Sequence, residues 1–131
     1  MRYRIAIISL LLMNLSTVAA AETFDTNDTA MTIEEMKAKF VGNSWSGDYE
    51  GVTFAEYIDP NGEIRGKSEK DGTYTAHWRF RDDGLFCFDY GDPSANGCVQ
   101  LILKGNEIGA RRLDGVVEGS YKLSPGNEFK L

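Results

Sequence analysis

The sequence predicts a mainly β domain: a small antiparallel sheet or up-and-down barrel of about eight strands with one short N-terminal helix. Three observations carry that expectation. From residue 44 onward, clusters rich in Gly, Asn, Asp and Pro recur about every 8–12 residues, the spacing of a meander, sandwich or barrel. The segments between them alternate apolar and polar residues with a period of two. Glycine is abundant, 14 residues against three prolines, which suits short strands and tight turns better than a helical bundle.

Taken in chain order, residues 1–21 read as a secretory signal. Arg2 and Arg4 form a positive start, an apolar stretch is broken only by Ser9 and Asn14, and Ala19, Ala20 and Ala21 fit a cut before Glu22. The apolar run is well short of the roughly 20 residues that a membrane span needs. Removing this leader takes away two arginines and no acid, so the formal charge moves from −6 to −8 on the remaining 110 residues. Residues 22–30 are polar and read as a flexible tail, and residues 31–131 as a single β domain.

One helix signal follows. Thr32 and Glu35 have the spacing of a capping box, and Met31 and Met36 stand where a hydrophobic staple would. Ile33, Met36 and Phe40 fall on one helical face, and Gly42 supplies a stop. Strands are expected near 44–49, 52–58, 63–68, 73–81, 85–90, 98–103, 107–113 and 116–123, with a short last one at 128–131. The clearest is 73–81, where Tyr74, Ala76, Trp78 and Phe80 point one way and Thr75, His77, Arg79 and Arg81 the other.

Cys87 and Cys98 are the two cysteines, and an exported chain meets an oxidising compartment, so a disulfide is the default. Pairing them across an antiparallel hairpin sets Phe86 opposite Val99. Phe86, Phe88, Val99, Leu101 and Leu103 then share one face and both sulfurs the other, so a single register satisfies the hydrophobic pattern and the bridge.

The acidic balance argues against a nucleic-acid backbone as partner and for basic partners with strong salt dependence. His77 is the one histidine, too few for a triad or a three-histidine zinc site. Carboxylates stand close together at Asp48/Glu50, Asp82/Asp83 and Asp89/Asp92, and acid–base hydrolysis would need two of them held in one cleft. No metal site, cofactor motif or catalytic residue is expected. A ligand-binding face is expected on His77, Arg79 and Arg81, with Tyr49 and Tyr57 as walls.

Several motifs carry resemblances. Gly42-Asn-Ser-Trp45, after a short helix and opening the first strand, resembles the G-x-W start of calycin-type barrels, with one residue more between glycine and tryptophan. The segment from Gly42 to Gly47, Glu56-Tyr57 with Pro60 and Gly62, Trp78-Arg79, Phe86-Cys87-Phe88 and Cys98 together resemble a family of small exported proteobacterial domains that implies no activity. A looser likeness is to periplasmic lysozyme inhibitors, small disulfide-stapled barrels that present polar loops to a basic enzyme. Ser46-Gly-Asp-Tyr49 and Gly119-Ser-Tyr121 approximate their serine-glycine-tyrosine loop. The expected function is a noncatalytic periplasmic binding protein whose partner is an envelope protein or a small apolar ligand. Inhibition of a basic cell-wall hydrolase and a small hydrolase activity are the alternatives.

Overall fold

A computed structural model describes residues 23–131; the expected leader, residues 1–21, lies outside the described residues. The capping box forms as the sequence predicts. Thr32 Oγ1 accepts from the Glu35 amide, the Glu35 carboxylate accepts from the Thr32 amide, and helix α1 runs over Ile33–Lys39. Among the described residues this is the one α-helix, and it stands inside the chain, just ahead of the first strand. After it come β1 (Ser44–Tyr49), β2 (Val52–Ile58), β3 (Glu63–Ser68), β4 (Gly72–Phe80), β5 (Phe86–Asp89), β6 (Gly97–Lys104), β7 (Glu107–Arg111) and β8 (Val117–Ser124).

The eight strands pair antiparallel in sequence order, and β8 returns to β1, so the sheet closes into an up-and-down barrel. Closure leaves no unpaired edge strand, which removes the hazard of edge-to-edge association. The Cys87–Cys98 pair is bonded, and the β5–β6 register sets Phe86 opposite Val99 as the hydrophobic pattern requires.

Eight strands enclose an interior that side chains can fill. Phe86 lies at its centre, with the rings of Phe40, Trp45, Trp78, Phe80 and Phe88 at centroid distances of 5.1 to 6.4 Å. Met36 from α1 and Phe40, which caps its C-terminus, are completely buried and plug the end where β1 and β5 begin and β2 finishes. A bond from the Gly42 amide to the Ile58 carbonyl, 2.7 Å, ties the helix exit to that end. The opposite end, formed by the β1–β2, β3–β4, β5–β6 and β7–β8 connections, is the mouth.

Two expectations differ from what forms. Residues 128–131 make a tight turn rather than a strand: the Asn127 side chain bonds both the amide and the carbonyl of Leu131, and Lys130 has a φ of 54°. Where a flexible tail is expected at 22–30, residues 23–30 lie along the outer wall. Lys104 Nζ reaches the Thr23 carbonyl and the Asp28 carboxylate, Arg111 reaches the Thr26 and Asp28 carbonyls, and the Met31 amide bonds the Leu101 carbonyl. The polar side chains that suggest a free tail do not reveal that its backbone oxygens are acceptors for two barrel cations. Trp78 faces inward but is only half-buried, because its indole N–H reaches the Asp59 carbonyl at the barrel edge, 2.8 Å away.

Candidate functional site

The interior is apolar around Phe86 and polar toward the mouth. Register sets Trp45 beside Glu56, Glu56 beside Gly66 and Gly66 beside Tyr74, one row across four strands. A side chain at Gly66 would collide with the Tyr74 ring, since its Cβ would fall 2.4 Å from Tyr74 Cζ. Glycine there lets the tyrosine lie across β3 and reach Glu56. The Glu56 carboxylate, 2% exposed, accepts from Trp45 Nε1 at 2.9 Å, Tyr74 Oη at 3.0 Å and Tyr90 Oη at 2.7 Å. Burial pushes its pKa above the ordinary carboxyl value, and the three donors pull back against that. Burial and the neighbouring Glu56 charge push both tyrosine hydroxyls upward.

Above this network the barrel opens into a groove of about 230 Å³ lined by Asp48, Tyr49, Glu50, Glu118, Gly119 and Tyr121. Its shape comes from a bulge in β8. Ile108 pairs with Tyr121 and Ala110 with Glu118, so Gly119 and Ser120 together oppose the single residue Gly109. Gly119 takes a φ of 70°, the left-handed region where glycine is favoured, and its Cβ would fall 2.3 Å from Tyr121 Cζ. The extra residue reverses the alternation of the strand. Tyr121, paired with buried Ile108, and Glu118, paired with buried Ala110, both come to the lumen side. Strict period-two reading would put them on opposite faces.

Tyr121 is 5% exposed, and its ring packs edge-on against Trp45 at 5.2 Å and Phe54 at 5.4 Å. Its hydroxyl end lies over Gly119, on the groove side, without a hydrogen-bond partner among the described residues. Burial first, then the charge of Glu118, pushes its pKa up to about 12. Burial likewise raises the Tyr49 hydroxyl, with Glu118 and Glu50 adding to the shift. Arg112 stands at the rim, bonded to Asp114 at 2.7 Å and to Glu118 at 3.1 Å.

The five residues expected to form a ligand face do not converge. His77 and Arg79 are exposed on the outer wall of β4. Arg81 lies just beyond that strand and pairs with Asp83. Tyr57 is on the outer wall of β2, with the Arg65 guanidinium 5.3 Å above its ring. Tyr49 alone sits at the mouth, on the opposite end from Arg81. Glu56, Tyr74, Tyr90, Glu118 and Tyr121 are the residues that sequence reading misses. The glycines at 66 and 119 are the signal that could have found the tyrosines, since each interrupts a strand pattern two positions from a tyrosine or opposite one.

Among the described residues no group of three or more His, Cys, Asp or Glu side chains is placed to hold a metal ion, and no helix is long and apolar enough to cross a membrane. No family model, curated protein or solved structure matches the chain.

Proposed function

We propose that this chain is a noncatalytic binding protein, exported to the bacterial periplasm, that docks a protein partner with a basic surface on the mouth of its barrel. The observation that carries this reading is the character of that end. Large apolar side chains are exposed on this end: Tyr49 at 48%, the last residue of β1, and on the β7–β8 turn Leu113 at 71%, which lines a second groove with Thr26, Leu85 and Arg111, and Val116 at 50%. Asp48, Glu50, Asp114 and Glu118 surround them. An aromatic and aliphatic centre with a charged rim is how protein interfaces are built. The net charge of −6 adds long-range attraction for a cationic partner.

A protein partner is favoured over a small apolar ligand because the interior is occupied by the chain's own rings, from Phe40 to Phe88. The disulfide fits an oxidising compartment. The two segments that resemble lysozyme-inhibitor loops, 46–49 and 119–121, both line the groove, which supports a basic cell-wall hydrolase as one such partner.

The test is direct binding of a lysozyme-type cationic hydrolase across a salt series, with the wild type and with Tyr49→Ala combined with Leu113→Ser. Binding at low salt that fades with salt and is lost in the double variant is expected. No binding of cationic proteins at low salt, or binding indifferent to the double substitution, would overturn the reading.

A further inference from the structure

We infer that the groove at the barrel mouth is a subsite for one guanidinium group, the side chain of an arginine on the docked partner. The inference rests on the reading of this end as a docking surface and names what enters it. Three independent features converge there. The first is a hydrogen-bonding group with nothing to bond. Tyr121 is held in one position by Trp45 and Phe54, and its hydroxyl is directed over Gly119 into the groove with no partner among the described residues. The ring is buried while the hydroxyl opens onto the groove, where it is free to bond an incoming group.

The second feature is charge. Asp48, Glu50 and Glu118 border the same groove, and none of its six lining residues is a cation. The third is shape. The half-exposed ring of Tyr49 offers a flat wall on which a planar cation stacks. A guanidinium meets all three at once. It is planar, it stays charged, and its forked donors can bond the Glu118 carboxylate and the Tyr121 oxygen together, which a single ammonium point charge does less well.

The chain already places a guanidinium against this carboxylate, since Arg112 Nη1 bonds Glu118 Oε1 from the rim. Arg112 therefore competes with the incoming group. It is exposed and also held by Asp114, so it can give up Glu118 without losing its other partner.

The experiment uses small probes on the purified protein, so that it does not depend on finding the partner. N-acetyl-arginine amide is titrated against isotope-labelled protein while the amide signals of Glu118, Gly119, Ser120 and Tyr121 are followed. N-acetyl-citrulline amide serves as the neutral isostere and N-acetyl-lysine amide as the ammonium arm. Saturating shifts with the arginine probe, weaker ones with lysine and none with citrulline are expected. Tyr121→Phe keeps the ring in place and should weaken the arginine probe about tenfold, the value of one hydrogen bond to a charged group. Glu118→Gln should weaken it as well, and Arg112→Ala should strengthen it.

Shifts that are absent, equal for citrulline or lysine, or unchanged in both Tyr121→Phe and Glu118→Gln would overturn the inference. If a basic protein binds but the groove ignores the arginine probe, the guanidinium subsite falls and the docking surface stands. If the probe binds and no basic protein does, the subsite stands and the docking surface falls.

Discussion

Glu56 shows how much a single residue can demand of its surroundings. A carboxyl group in the interior of a small barrel loses its hydration, and no cation is among its hydrogen-bond partners. The chain supplies three donors from three different segments, and each has its own local cause: the indole of Trp45, the glycine gap under Tyr74, and Tyr90 at the end of β5. Because the folded pKa lies above the ordinary value of 4.5, folding favours the protonated carboxyl. The stability it contributes is fully present below 4.5 and is lost as pH rises through the folded pKa. Denaturant unfolding measured from pH 4.5 to 8 should show this decline, and Glu56→Gln should flatten it, because an amide does not titrate. A decline equally steep in the variant would assign the slope to another group. Asp28, Asp59, Asp83 and Asp92 all titrate below their usual value, so their contribution appears at lower pH and with the opposite sign.

At the scale of elements, the β5–β6 hairpin and β8 differ in how they obtain their geometry. The hairpin combines alternation with a covalent bond spanning 11 residues of sequence, and the chain-entropy account of such a loop gives about 3 kcal/mol. Both cysteines are bonded, so mass-tagging in denaturant without reductant should label no thiol, and Cys87→Ser should lower the unfolding free energy by about that amount. Two labelled cysteines in the unreduced protein would refute the bridge. In β8 the shape comes from a bulge, and removing it is expected to act locally. Helix α1 works differently again: its capping box starts it, but seven residues are too few to hold a helix alone. It persists because Met36 and Phe40 are buried in the barrel end. Phe40→Ala should therefore cost about 3–5 kcal/mol in denaturant unfolding, the usual loss for a buried aromatic. A loss under about 1 kcal/mol would mean that the helix is not the plug.

For the whole molecule, closure and charge determine how it meets other proteins. A closed barrel offers no strand for β-augmentation, so recognition falls to the side chains at its ends. With a net charge of −6, salt should act mainly on the association rate, whereas Tyr49→Ala should act mainly on dissociation. Stopped-flow or surface kinetics with a cationic hydrolase would separate the two, and salt acting on dissociation alone would contradict electrostatic steering. The sequence by itself determined the fold class, the capping box, most strand positions, and the hairpin register that aligns Cys87 with Cys98. Each of these rests on local periodicity, turn chemistry or a covalent constraint, all readable within a few residues. It did not reveal the mouth. His77, Arg79 and Arg81 stand out because polar side chains clustered on one strand face are conspicuous in sequence, yet a barrel turns that face outward. In the sequence Glu56 is visible only as part of a motif, and Tyr121 only as the last residue of a loop. The closed sheet brings Trp45, Glu56, Gly66 and Tyr74 into one row from four strands, and the bulge at Gly119 turns Glu118 and Tyr121 to the same side. Only tertiary structure decides such relations, because they depend on register between distant strands and on one unpaired residue that reverses the alternation a sequence displays.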